Sequence, residues 1–240
     1  MFKKIQTLIC CAVVLGFMFL WGAATAKNRV VMTSGNINTG MDKQVIVLDA
    51  GHGGFDGGCV SVNGVAEKGI NLAIMESLRD GLEIMGFNVI CTRESDVSIH
   101  DKGVEGVSQQ KKSDMDNRLA IFNKYNDAIS VSIHQNQFTD GKYSGAQMFY
   151  SEKNSEGEKL AEIMKQQFVS LLQPDNTRET KPVGDELYLL NNTTCPSVLV
   201  ECGFLSNAEE AAKLESSDYQ KEVAFTIMTG IFEYSNQRKS

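Results

Sequence analysis

The stretch "VIVLDAGHGG", Val45 to Gly54, decides how this chain is read. An apolar, β-branched run closes on an aspartate and then on a histidine set among glycines. Such a run reads as a strand buried on both faces, and the glycines mark a turn where backbone can pass close to other groups. Three more runs of the same kind follow: "FNVICT" (87–92), "AISVSI" (128–133) and "SVLVE" (197–201). Helical patterns lie between and after them. Apolar residues repeat at helical spacing from Ile70 to Met85, ahead of a terminating Gly86. A second helix is expected from a Ser-Asp cap at Ser113 to Tyr125, with Leu119, Phe122 and Tyr125 on related faces. A third, Ser155 to Leu172, is expected to bury Leu160, Ile163, Met164, Phe168 and Leu171. Tyr219, Val223, Ile227, Ile231 and Tyr234 form the stripe of a last helix. Strands alternating with helices argue one α/β domain, its sheet parallel or mixed but mostly parallel and flanked by helices. The polar stretch Glu94 to Gln110 reads as a long loop at the rim of a site.

The 240-residue chain opens with Lys3 and Lys4, an apolar run from Leu8 to Trp21, and Ala24-Thr25-Ala26. That order is a secretory signal over residues 1–26, with an uncleaved membrane anchor as the alternative. Residues 27–43 are polar and irregular, a linker. Loss of the signal leaves 30 acids against 21 bases, a formal charge of −9. An exported acidic chain without a basic stripe is a poor candidate for nucleic acid. Cys59, Cys91, Cys195 and Cys202 remain. Their spacing is too irregular for a disulfide framework, so most are expected reduced, with Cys91 a buried strand thiol.

His52 follows the first strand, His134 follows the third, and Glu201 closes the fourth. Residues just past the carboxyl ends of strands in an α/β sheet gather in one crevice, where ligands bind. His134 shares a strand face with Ser130 and Ser132. Glu67, at the mouth of the first helix, is placed to lean into the same crevice. Taken singly, each histidine reads as a polar strand-end residue and Glu67 as a carboxylate favoured by the helix dipole. Taken together, two histidines and a carboxylate make a common catalytic zinc set with a position left open for water. No contiguous His-Glu-x-x-His pair is present, so spacing alone leaves the metal undecided.

Six stretches narrow the choice: "VLDAGHGGFDGG" (47–58), "AEKGINLAI" (66–74), "TRESD" (92–96), "NRLAIFNKYNDAISVSIHQN" (117–136), "SGAQMFY" (144–150) and "VLVECGFLSNAEE" (198–210). In that order, from Gln44 to Tyr234, they resemble the zinc-dependent N-acetylmuramoyl-L-alanine amidases. The resemblance implies a twisted mixed sheet flanked by helices, with residues 44–236 as the catalytic domain. It places His52, Glu67 and His134 at zinc-ligand positions and Glu201 at the catalytic glutamate. Arg93, Arg118 and Asn136 fall in family-like stretches and are explained as well by ion-pairing or scaffold roles; His100 reads as an exposed loop residue. Ala50 stands where relatives often carry proline, Cys59 where they often carry alanine, and Cys202 where a small or hydroxyl residue is usual. None of these is a key position, although the two thiols are close enough in sequence to leave an oxidised or mixed site open.

The single exported domain and the run "GDELYLLNNTTCPSVLVECGFLSN" (184–207) are further similar to the germination-specific amidases of endospore-forming bacteria. This implies a cortex peptidoglycan substrate in the forespore envelope, stripped of its stem so that a muramic-acid deacetylase can complete muramic-δ-lactam. It also allows an accessory protein for activation or localisation. Two rivals stand beside it: a zinc peptidase or carboxypeptidase acting on the stem peptide, and a non-catalytic wall-binding module.

Overall fold

The computed structural model describes residues 44–125 and 127–238; the expected signal and linker lie outside the described residues. The strands are β1 (Val45–Ala50), β2 (Asn88–Cys91), β3 (Ile129–Asn136), β4 (Gln147–Ser151), β5 (Lys181–Val183) and β6 (Ser197–Phe204). They form one six-stranded sheet in the order β2-β1-β3-β6-β4-β5. β2, β1, β3 and β6 run parallel, β4 is antiparallel to β6, and β5 is parallel to β4. The expected mostly parallel, mixed sheet is therefore what the chain builds. β1, β3 and β6 are buried almost throughout, as their apolar runs require. β2 is different. It is one of the two sheet edges, so Cys91 is half-buried rather than buried.

The helices are α1 (Glu67–Ile84), α2 (Val107–Phe122), α3 (Ser155–Leu171), α4 (Tyr188–Asn192), α5 (Ala208–Leu214) and α6 (Ser217–Gln237). The main core gathers Ile70, Ile74, Leu78 and Leu82 of α1, Leu160 and Phe168 of α3, and Val223, Ile227 and Ile231 of α6 against the sheet. Each such side chain contributes roughly 1.5–3 kcal/mol of burial. A smaller cluster, with Val47, Phe122, Ala128, Leu189 and Cys195, fills the space under α2 and α4. α1 stops as expected: Gly86 follows at φ 90°, with its amide on Glu83 O (3.0 Å) and that of Phe87 on Leu82 O (3.1 Å). This is a Schellman ending. Asn154 caps α3 by accepting from the amides of Glu156 and Gly157, both at 3.1 Å.

Three expectations about the helices need correction. α2 starts at Val107, so the rim loop ends at Gly106 rather than Gln110. Its first turns are largely solvent-exposed and carry no apolar stripe to announce them. Ser113 and Asp114 do not cap it. Asp114 instead ties down the loop, accepting from Ile99 N and Ser98 Oγ at 2.7 Å each, while Ser113 Oγ accepts from Asp101 N at 3.0 Å. Leu171 is 51% exposed, because α3 ends there and its face turns off the core. Among the described residues no helix is long and apolar enough to cross a membrane.

Candidate metal centre and active site

The parallel pairing brings the ends of β1 and β3 together, and α1 begins against them. One donor atom each from His52, Glu67 and His134 lies within 4.8 Å of the others, a grouping that can hold a metal ion. His52 Nε2 is 3.3 Å from Glu67 Oε2, and His134 Nδ1 is 3.0 Å from Glu67 Oε1. The imidazoles are about a fifth to a quarter exposed, whereas Glu67 is buried. The His52 ring is set from behind. His52 Nδ1 bonds Asp56 Oδ2 at 2.9 Å, which turns Nε2 toward Glu67. Asp56 in turn accepts from Lys111 Nζ at 3.0 Å. A carboxylate behind a histidine in this way fixes the tautomer and the orientation of a metal-binding ring.

Glu67 is more than a helix-dipole residue. Its oxygens accept from the amides of Cys59 (2.9 Å) and Gln135 (3.0 Å) and from Asn71 Nδ2 (3.0 Å). Burial alone would favour its protonated form, but the two histidines outweigh this and hold the carboxyl well below its usual range. Burial likewise pulls His52 down, and Glu67 and Asp56 together reverse this and raise it to about 9. Two imidazoles and an anionic carboxylate are an ordinary donor set for a divalent metal, whose binding displaces such protons.

Two glycines of "VLDAGHGGFDGG" (47–58) make room for these side chains themselves. A Cβ on Gly51 would meet His134 Cε1 at 2.1 Å and Nε2 at 2.2 Å. One on Gly58 would meet Glu67 Oε2 at 2.5 Å. Gly51→Ala is therefore expected to drive the His134 ring from its place and cut metal occupancy severely, while the far-ultraviolet circular dichroism stays that of the parent. Metal content equal to the parent's would show that the ring has room to spare.

Two arginines hold the turn that carries His52. Arg118 donates to Ala50 O (2.9 Å) and His52 O (2.7 Å), and Arg93 to Ala50 O (2.9 Å) and Gly51 O (3.1 Å). His52 itself has a φ of 63°, unusual for a residue other than glycine, and this surrounding bonding holds it there. Arg118 is buried on Asp49 (2.5 Å) and Asp114 (2.6 Å). Asp49 also accepts from Ser132 Oγ at 2.6 Å and Thr92 Oγ1 at 2.7 Å. Burial raises the Asp49 pKa, but Arg118 and these hydroxyls more than offset it and bring it down to about 2. Both arginines thus have scaffold roles. Asn136 joins them through its backbone, accepting from Leu205 N at 2.8 Å. His100 is half-buried, bonded to Ser98 Oγ at 2.9 Å and packed edge-on to Phe55.

Glu201 does not close its strand. β6 continues to Phe204, and Glu201 pairs directly with His134, just before a register shift in β3. Paired residues share a face of the sheet, which sets the Glu201 carboxylate beside the histidine. Its Oε2 is shut off from solvent with no hydrogen-bond partner among the described residues. Burial pushes its pKa up to about 7, against a partial lowering by His134. Such an oxygen, buried and unspent, is available to a reacting proton. Beside the histidines opens a cavity of about 300 Å³, walled by Met115 of α2 and by Leu187, Leu189, Leu190 and Leu199. All four cysteines of the described residues are free thiols, and none belongs to the donor group. Cys59 Sγ lies against Gln135 O at 3.4 Å and Cys202 Sγ against Val200 O at 3.8 Å.

The profile of the N-acetylmuramoyl-L-alanine amidases matches residues 46–233, the whole sheet and its helices apart from the first residue of β1 and the last turn of α6. The chain belongs to this family. Membership makes it a hydrolase of the amide between N-acetylmuramic acid and L-alanine in peptidoglycan, and sets aside the stem-peptidase and wall-binding readings. The germination-specific N-acetylmuramoyl-L-alanine amidase of Bacillus subtilis (strain 168) is 38% identical over 195 residues, covering 81% of both chains. The amidase AmiA of Escherichia coli (strain K12) is 26% identical, covering 88% of this chain and 84% of its own. Among solved structures, the CwlD amidase from Clostridioides difficile in complex with the GerS lipoprotein superposes with a TM-score of 0.77 at 39% identity. That match covers 80% of this chain and 98% of CwlD.

The residues around this amidase site that sequence reasoning passes over are Asp49, Asp56, Asn71 and Gln135. Two carry a readable signal. Asp49 is an acid inside an apolar strand and has to be paired. Asn71 lies four residues after Glu67, on the same helix face.

Proposed function

We propose that this amidase uses zinc held by His52, Glu67 and His134, with Glu201 as its general base and acid. The observation that carries the reading is the pairing of Glu201 with His134, which sets an unspent buried carboxylate oxygen beside a three-residue donor group. Zinc, when bound, supplies a Lewis acid for the amide carbonyl and makes water a nucleophile near neutral pH. The chain's own residues do the rest. Asp56, Asn71 and the amides of Cys59 and Gln135 orient the donors. Glu201 takes the proton of the attacking water and returns it to the departing L-alanine nitrogen, so one carboxylate serves both halves of the reaction.

The substrate in this reading is spore-cortex peptidoglycan, and the released lactyl carboxylate is what a later muramic-acid deacetylase needs for lactam closure. The likeness to the germination-specific amidase and to CwlD supports it. By the same likeness an accessory lipoprotein activates or positions the enzyme. Residues 1–26 export it, so it works outside the cytoplasm in the forespore envelope.

The test is one preparation and two measurements. Elemental analysis should find one zinc per chain, strongly reduced in His134→Ala, and mass spectrometry of digested cortex should find stems released with a free L-alanine amine. Unchanged zinc in both His52→Ala and His134→Ala would remove the metal assignment. Cleavage elsewhere in the stem would remove the amidase reading.

A further inference from the structure

The pairing that joins His134 to Glu201 continues one strand further, because Glu201 also pairs with Gln147 at the start of β4. Paired residues point to one face, and neighbouring strands are about 4.8 Å apart. Gln147 is thus the next side chain after Glu201, about 10 Å across the sheet from His134. Its amide oxygen accepts from Arg178 Nε at 3.2 Å and Nη2 at 2.6 Å, and its amide nitrogen donates to Glu179 O at 3.0 Å. The Arg178 guanidinium lies 4.8 Å from the centroid of the Phe204 ring. Held by an amide on one edge and a ring on one face, this half-buried cation has a fixed direction.

Its charge, however, is not neutralised by contact. Among the described residues no carboxylate forms a salt bridge with Arg178, and its Nη1 has no hydrogen-bond partner. Glu210 feels the charge but gives its oxygens to the amides of Gly145 (2.8 Å) and Phe204 (2.7 Å). The arginine borders an open, polar cleft of about 400 Å³ shared with Ser144, Asn176 and Lys213, and with the carboxylates of Asp175, Glu209 and Glu210, which a bound anion has to avoid. A rigid guanidinium with a free edge is the group that recognises a planar carboxylate.

We infer that Arg178 binds a carboxylate of the peptide stem, on the amine side of the bond that is cut. The inference rests on the amidase reading and deepens it. An extended peptide advances about 3.5 Å per residue, so an acidic group on the second or third stem residue reaches about 10 Å from the reacting carbonyl. Gln147 then acts as a positioning residue for the arginine.

The test uses the zinc-loaded protein and two N-acetylmuramoyl peptides that differ only in whether the stem carboxylates are free or capped as amides. The parent should prefer the free acid by about 10- to 100-fold in kcat/KM, expressed in KM. Arg178→Gln should lose that preference by raising KM on the free acid far more than on the amide, and Arg178→Lys should keep part of it. An equal loss on both peptides would mean that Arg178 only braces the β4 loop, and would overturn the inference, as would no loss on either. Should the parent cleave neither peptide even with the accessory lipoprotein added, the amidase reading itself fails. Calorimetric titration of the same peptides then decides the carboxylate site, and equal affinity of the parent and Arg178→Gln for the free acid would exclude it.

Discussion

Glu201→Gln is expected to lower turnover by at least about 10²-fold, and by more because one group serves both proton transfers. Fold and zinc content should survive, since glutamine keeps the shape and Glu201 is not among the grouped donors. Glu67→Gln should differ in kind. Its carboxylate lies against both imidazoles and accepts two backbone amides, so a neutral amide there weakens metal retention together with activity. Zinc stoichiometry and muropeptide release, measured side by side on both variants, separate the roles. If Glu201→Gln lost zinc while Glu67→Gln kept it, the two glutamates would exchange places in the mechanism. If Glu201→Gln stayed fully active, the base would have to be another group.

The second large effect is on stability. Arg118→Met removes the only cation in contact, among the described residues, with the buried Asp49, and also frees Asp114 and the carbonyls of Ala50 and His52. Breaking one side of a buried pair costs about 3–5 kcal/mol, because the remaining charge stays out of water. That is a large share of a typical domain's total stability. Asp49→Asn combined with Arg118→Met should recover part of the loss, since the Thr92 and Ser132 hydroxyls can still bond the amide. Urea unfolding of the parent and the two variants measures this. A single-variant loss below about 1 kcal/mol, or a double variant no better than the single, would show that the pair is not what holds Asp49.

Much of the fold and of the site is legible in the amino-acid sequence. β1, β3 and β6 declare themselves because they are buried on both faces, and such strands are apolar without interruption. His52, His134 and Glu201 then stand out as polar groups near their ends. β5, with three residues, and the short helices α4 and α5 carry too few positions for a period to show. The early turns of α2 fail for the opposite reason, since a solvated helix has no apolar face to read. Glu201 reads as the last residue of its strand because the glycine after Cys202 suggests a turn, whereas β6 runs on through it. The supporting bonds of Asp56 to His52 and of Arg118 to the turn depend on which strands and loops become neighbours. No local pattern encodes that.

The wide separation of the donors along the chain bears on the order in which this molecule is made. Glu67 and His134 are 67 residues apart and meet only when α1 has docked on paired β1 and β3, and Glu201 joins only when β6 has added to β3. No short fragment can therefore gather all the donors as the finished domain does, so capture of the proposed zinc would be among the last events of folding rather than a seed for it. In the proposed zinc form the ion would act as a staple across one short segment, His52 to Glu67, and one long one, Glu67 to His134. Zinc bound as proposed would favour the native state over the open chain, so its free concentration where the enzyme works would be one of the determinants of how long the enzyme persists.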